Sequence, residues 1–432
     1  MTSWTTTTLD DEDLFEFLSG LWKGKKPPFE KAVVIRNTNF RNDGRLDLTD
    51  AAVLEVEQRR LAERVLRGGD IIIERSGGGP KQPVGRVCLF EAAGPLPFSF
   101  SNFTSVLRLR RPDLLLPRFV LYSLLHHYYN GFTVPLQRAT TGIRNLDFEA
   151  YRQVLIPVPP IEVQERIVSV LGRLQQALGV EESIVVTASE LRREAASDLL
   201  CRGIHREDSK ETEIGILPQS WDVQPLEELR EFLQYGTSVK CSFVPEGNPV
   251  LRIPNVVQGQ IDGRNLKWCK LPDSTVDSLL LTEGDILFVR TNGVRERAGA
   301  CAVYMGQPER SLFASYLIRA RVKRDRLNPQ FFQYYTATPR GNAFLAGRAS
   351  PAADGKFNIN TKTIDSILVP VPSPREQAEI VTALQTIDEY LEVHDRRRSL
   401  LEGLFVAVLD KVMTGRVRIE DLKITTPDVA AA

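Results

Sequence analysis

Two short stretches carry the side chains best suited to chemistry. Residues 75–77 read Arg-Ser-Gly, and residues 290–293 read Arg-Thr-Asn-Gly. Each sets a guanidinium beside a hydroxyl or amide on a glycine-containing loop. Arginine and lysine meet phosphate oxygens and guanine edges, and asparagine and glutamine meet adenine edges. The chemistry on offer is recognition of a polyanion with readable edges. Basic side chains collect around both stretches. Between positions 286 and 326 there are nine Arg and Lys residues (290, 295, 297, 310, 319, 321, 323, 324, 326) against three acids. Arg75, Lys81, Arg86, Arg108, Arg110, Arg111 and Arg118 form a similar set earlier in the chain. Two polar loops extend these sets: residues 138–145, RATTGIRN, and 355–360, GKFNIN. The candidate contacts to double-stranded DNA are therefore Arg75, Ser76, Lys81, Arg138, Thr141 and Arg144, then Arg290, Asn292, Arg297 and Lys356.

Signatures of catalysis are missing. There is no GxxxxGK[ST] loop, HExxH pair or GxSxG elbow. Residues 77–79 are three glycines with no helix signal after them, so a hairpin turn is expected there. Residues 328–331, NPQF, are similar to the NPPF-type loop of DNA adenine methyltransferases but lack its second proline. Their counterpart, LPRF at 116–119, indicates a shared helix start instead. The five cysteines form no CxxC pair and the four histidines no metal-binding spacing, so no metal site and a reducing compartment are expected. With 432 residues, two domains are the default. Lys+Arg and Asp+Glu are both 55, which excludes a polybasic coat and leaves local basic faces open. The first 20 residues hold five acids and no base, unlike a signal peptide, and no run of about 18 apolar residues could span a bilayer. A cytoplasmic protein without membrane contact is expected.

The elements that must position these groups are written twice. Residues 156–164 read IPVPPIEVQ and residues 369–377 read VPVPSPREQ, at one offset (369 − 156 = 377 − 164 = 213). Alternating prolines hold each lead-in extended. Glu162 and Gln164, or Glu376 and Gln377, then sit where a helix begins, as acceptors for its first N–H groups. Long helical runs follow, each with one apolar stripe: Ile167, Leu171, Leu174 and Leu178 in the first, Leu384, Ile387, Leu391, Leu401, Leu404 and Val408 in the second. About 40 residues of helix span about 60 Å, so each stripe is expected to pack on the other copy rather than on its own unit. Upstream, Trp4 and Leu9 match Trp221 and Leu226, and residues 66–90 match 281–304 as strand, glycine loop and returning strand. The division is 1–158, first globular unit; 159–203, first helix; 204–218, a charged linker; 219–371, second unit; 372–415, second helix; 416–432, tail.

With these features the chain resembles a specificity subunit of a type I restriction–modification system, from Trp4 to about Leu422. The features carrying the resemblance are Trp221 opening a unit, Gly284-Asp285-Ile286-Leu287-Phe288, Thr141-Gly142-Ile143-Arg144-Asn145-Leu146, and the paired proline lead-ins. It departs in having Glu165 after Gln164, where the family more often reads Glu-Gln, and in lacking a TTG form in its second polar loop. The resemblance implies an α/β (α+β) fold: two tandem target recognition domains separated by two long helices that form an antiparallel coiled coil, with internal pseudo-two-fold symmetry. Each domain would grip half of a bipartite DNA site, and the helices would set the gap. Two methyltransferase (M) subunits would dock on the helices and bind S-adenosylmethionine, with no cofactor in this chain. Motor-nuclease (R) subunits would join them, and the chain would catalyse nothing. The alternatives are a self-contained DNA adenine methyltransferase with fused recognition domains, and a coiled-coil adaptor without DNA contact.

Overall fold

The computed structural model describes residues 4–21, 24–79, 82–140 and 143–416, with backbone only at 139 and 140. Lys81, Thr141 and the tail beyond 416 lie outside the described residues. Contacts divide the chain into two units, Met1–Glu182 with Arg396–Ala432, and Ser183–Asp395.

Each unit is organised on an antiparallel four-stranded sheet. In unit 1 the order is Phe15–Ser19, Thr104–Leu109, Ile71–Glu74, Val87–Leu89; in unit 2 it is Arg230–Tyr235, Leu317–Val322, Ile286–Val289, Cys301–Val303. The central strand is buried along its length and, Glu74 apart, apolar, because both of its faces are covered. Alternation sends Ile71 and Ile73 into one core and Ile72 into another. In unit 2, Ile286 and Phe288 part from Leu287 and Val289 in the same way. One face is closed by a three-stranded sheet: Ala52–Glu57, Phe29–Ile35, Phe98–Phe100 in unit 1, and Lys267–Cys269, Asn248–Leu251, Leu312–Phe313 in unit 2. The other face receives a buried helix with proline in its first turn, Pro117–Tyr129 or Pro329–Ala337. The proline lead-ins are strands, Leu155–Val158 and Leu368–Val371, paired antiparallel with Thr5–Thr8 and Asp222–Pro225.

The long helices run Ile161–Arg202 and Pro374–Met413. In unit 1, Ile167 and Leu171 share a core with Phe405, Leu409 and Val412. In unit 2, Ala196 and Leu200 share one with Ile380, Val381 and Leu384. Early turns of each helix thus lie with late turns of the other, which makes the pair antiparallel. The expectation that the stripes avoid their own units needs correcting: the same side chains pack on sheet and helix alike. Ile167, Leu171, Leu178 and Leu384 are buried, Leu174 and Val408 pack partly, and Ile387, Leu391 and Leu401 are half-buried. Leu404 is 48% exposed, and its neighbour Phe405 turns inward to the ring of Tyr122, 6.1 Å between centroids. Residues 204–218 hold a hairpin, Ser209–Thr212 with Gly215–Pro218. Its fully buried Leu217, with Ile204 and Ile214, fastens it to the core despite the charge around it.

Gln164 and Gln377 do not cap helix N-termini as expected. Each is buried in the first turn and bridges outward. Gln164 Nε2 donates to the carbonyls of Leu114 (2.8 Å) and Pro159 (2.9 Å), and its Oε1 accepts from Leu116 N (2.9 Å). Gln377 repeats this on Arg326 (2.8 Å), Pro372 (2.9 Å) and Asn328 (2.7 Å). A second tether lies 11 residues on, since 175 − 164 = 388 − 377. Tyr122 Oη donates to Gln175 Oε1 (2.6 Å) and Tyr334 Oη to Asp388 Oδ2 (2.7 Å). Burial pushes the Tyr122 hydroxyl up to about 12, so it stays a donor. Glu376 is also buried, accepting from Trp221 Nε1 (2.9 Å) and Ile204 N (3.1 Å). Val163 holds the matching place in unit 1, packed with Trp4 on the same core.

Gln377→Ala strands two or more buried backbone groups and should cost about 3 kcal/mol, read as a lower unfolding midpoint by calorimetry. Gln377→Glu should be at least as damaging at neutral pH, because a carboxylate would face two carbonyl oxygens. Burial pushes the Cys301 thiol up to about 12 and the Cys88 thiol well above its ordinary value. Both should resist iodoacetamide at pH 8 in the native protein and react after urea, as read by mass spectrometry.

Candidate nucleic-acid interface

The returning strand pair of each unit opens sideways into a second, smaller sheet. In unit 1, Ser76–Gly77 leaves the central strand and pairs with Ile143–Leu146, which pairs in turn with Gln137–Thr140. In unit 2, Thr291–Asn292 pairs with Phe357–Asn358, and that with Ser350–Pro351. The register sets Asn145 opposite Ser76 and Arg144 opposite Gly77. Gly77 has φ +138°, and a Cβ there would lie 2.2 Å from Asn37 Nδ2, so glycine is required where the strand leaves the core.

This sheet gathers most of the sequence-derived candidates of unit 1. Ser76 Oγ donates to Asn145 Oδ1 (2.6 Å), and Arg144 Nη1 to Gln137 Oε1 (3.3 Å). Arg138 pairs with Asp147 and keeps 76% of its side chain exposed. Arg75 lies 4.3 Å above the ring of Phe148 and donates to Ser105 Oγ. In unit 2, Arg290 stacks at 5.1 Å on Tyr235 and donates to Ser315 O (3.4 Å). Asn292 Oδ1 accepts from Val294 N (3.0 Å), which fixes the turn that follows. Lys356, at the tip of the hairpin, meets Asp354 at 2.8 Å, a contact that raises its pKa. Arg297 is exposed in a short turn beside the sheet, whereas Arg295 lies 4.7 Å over the ring of Phe357. Arg295 was missed as a candidate because only the folded turn shows which of two arginines meets the sheet.

Several members of the basic sets face inward instead. Arg86 makes a two-point pair with buried Glu74 (2.8 and 2.9 Å). Arg108 and Arg321 do the same with Asp70 and Asp285, the buried aspartates of the two Gly-Asp turns. Asp70 also accepts from Arg67 N, and Asp285 from Thr282 N, so each carboxylate accepts three hydrogen bonds. Hydrogen bonding to Asp70 holds Arg108 above its ordinary pKa. Burial lowers Arg319, against the pull of Asp285. Arg111 and Arg118 pair with Asp113 and Glu91. The basic density legible in the sequence is therefore partly internal bracing. Lys323 and Arg326 are held by Glu228 O and Gln224, and Arg75, Arg290 and Arg295 are the members that stack on rings at or beside the small sheets. Among the described residues no cluster of three or more His, Cys, Asp or Glu could hold a metal ion, and no helix is long and apolar enough to cross a membrane.

Comparison with known proteins agrees with this duplicated arrangement. The family described as type I restriction modification DNA specificity domain matches twice, over residues 2–186 and 218–402. The specificity subunit of the type I restriction enzyme EcoKI from Escherichia coli K12 is 25% identical over 402 residues, covering 89% of this chain and 82% of that one. The MjaVIII specificity subunit of Methanocaldococcus jannaschii is 24% identical over 291 residues, 66% of this chain and 67% of its own. The crystal structure of the type I restriction–modification S subunit from M. genitalium shares the fold at a TM-score of 0.57 and 17% identity, covering 95% of this chain and 96% of that one. Both halves of the molecule are copies of one domain, and the chain belongs to the type I restriction modification DNA specificity family.

Proposed function

We propose that the chain is the DNA sequence-specificity subunit of a type I restriction–modification complex. Each unit reads one half of a bipartite duplex site, and the chain itself carries no catalytic group. The observation that supports this most is the repetition, in both units, of one small sheet edged by guanidinium and ammonium groups on a rigid four-stranded platform. Unit 1 supplies Arg75, Ser76, Arg138 and Arg144; unit 2 supplies Arg290, Asn292, Arg295 and Lys356. Lys81, Thr141 and Arg297 complete the candidate set. Arginines braced on aromatic rings keep their planes fixed while their N–H groups remain free to meet phosphate or base edges.

The antiparallel helices set the gap between half-sites. Half-sites about one helical turn apart, 34–36 Å, fall on one face of the duplex. Exposed apolar side chains on the helices, among them Val186, Leu191, Tyr390 and Val393 in unit 2 and Leu400 and Leu404 in unit 1, supply surface for two methyltransferase subunits. Those subunits bring S-adenosylmethionine, and motor-nuclease subunits join them.

Replacing residues 1–158 by the corresponding part of another such subunit should change one half of the methylated sequence and leave the other, as read by methylome mapping. A change in both halves, or in neither, would sink the modular reading. Purified alone with labelled S-adenosylmethionine and DNA, the chain should transfer no label; transfer would favour the self-contained methyltransferase. In the reconstituted complex, Arg144→Ala should flatten the salt dependence of DNA binding by about one unit of log–log slope.

A further inference from the structure

Each unit holds a tight turn beside its small sheet, and the two turns match. In unit 1 it runs from Ser101 to Thr104, closed by Thr104 N donating to Ser101 O (3.0 Å). In unit 2 it runs from Ala314 to Leu317, closed by Leu317 N donating to Ala314 O (2.9 Å). The third residue of each is aromatic, Phe103 or Tyr316 (316 − 103 = 213). Both rings stand in solvent, Phe103 44% and Tyr316 58% exposed, in a chain that leaves few of its described aromatics exposed. Single exposed rings are ordinary. The same exposure at one position in two otherwise divergent copies is not.

The backbone under each ring is held from both sides. Phe103 O accepts from Arg75 N (2.8 Å) and Ser76 N (3.2 Å), and Tyr316 O accepts from Arg290 N (2.9 Å). The turn is thus bonded to the residues that lead into the small sheet. From the other side, Gly20 and Gly236 press so closely that an added Cβ would lie 2.0 Å from Ser101 O or 2.2 Å from Phe313 O. Neither turn can retreat. In unit 2 the ring is also within electrostatic range of Lys356, at the hairpin tip. Each ring is thereby tied through its backbone to the basic residue that leads into the small sheet, Arg75 or Arg290. When those arginines seat on a duplex backbone, the ring is carried to the groove, where apolar partners are thymine methyls and base faces.

We propose that Phe103 and Tyr316 are base-contacting residues, one for each half-site, and so determinants of sequence preference. The proposal rests on the DNA-specificity reading above. It is tested in the complex reconstituted with methyltransferase subunits, on three duplexes: the intact bipartite site, and that site with either half scrambled. The unit exchange described above assigns each half to its unit. Tyr316→Ala should weaken binding to the intact site about tenfold, in the range of one lost aromatic–base contact. It should weaken the duplex with the unit 1 half scrambled to a similar degree, and leave the duplex with its own half scrambled unchanged. Tyr316→Phe should bind like the wild type, and Phe103→Ala should show the mirror pattern. Equal weakening on all three duplexes, or no weakening on the intact site, would overturn the proposal. Loss of methyltransferase from the variant complex in gel filtration would also overturn it, by assigning the ring to a protein contact. A wild-type complex that fails to prefer the intact site would instead refute the DNA-specificity reading, before any variant is compared.

Discussion

The structure depends on one side-chain amide used twice. At the start of each long helix a glutamine has to donate to two carbonyls and accept from one N–H. Only a primary amide offers donors and an acceptor on one short group, and only glutamine has the reach from the first helical turn. Gln164 and Gln377 meet that demand with matching partners: the carbonyl of the proline lead-in, and both polar groups of the turn before the buried helix. Three chain segments are fixed to one point without a charge being buried. The proline strand is then held beside the opening strand of its unit, and the long helix can leave in one direction only.

Charge is divided by the same economy. A Gly-Asp turn buries its carboxylate at the start of the central strand, and an arginine on the neighbouring strand of the sheet, Arg108 or Arg321, neutralises it. Desolvated carboxylates of this kind are tolerable when they are paired and hydrogen-bonded, and Asp70 and Asp285 each accept from an arginine at two points and from one backbone N–H. Their partners stiffen the platform and are withdrawn from any ligand. What the small sheets present is a separate few, stacked on rings: Arg75 on Phe148, Arg290 on Tyr235, Arg295 on Phe357. A chain of zero net charge can in this way offer two local basic edges.

The duplication, the helices and the antiparallel returning strands were legible because each leaves a period or a spacing. The stripe from Ile167 to Leu178 followed from gaps of three and four. Leu404 was misplaced because a leucine and a phenylalanine stand side by side, and only the ring of Tyr122 decides which turns in. The hairpin within 204–218 was hidden by its charge, since one fully buried residue, Leu217, is enough to fasten it. The glutamines stood in plain view with the wrong task. A helix-start rule explains an acceptor there, but their real partners are about 50 residues away, and no local pattern reports them. Internal and external arginines look alike for the same reason: the difference lies in a partner supplied by the fold.

The helices also bear on how far each unit is independent. A glutamine and a tyrosine-linked position, 11 residues apart and so about 16 Å along the axis, fix two points of each long helix on its own unit. Two points fix a direction. The late turns of the helices are buried too: Phe405, Leu409 and Val412 fill the core of unit 1, and Ala196 and Leu200 that of unit 2. Each core is thus built from segments far apart in the chain. Residues 1–158 hold the candidate contacts of unit 1 but lack the helix-borne wall that Phe119 and Tyr122 pack against. Within unit 1, the buried surface of residues 1–158 must therefore match Phe405, Leu409 and Val412.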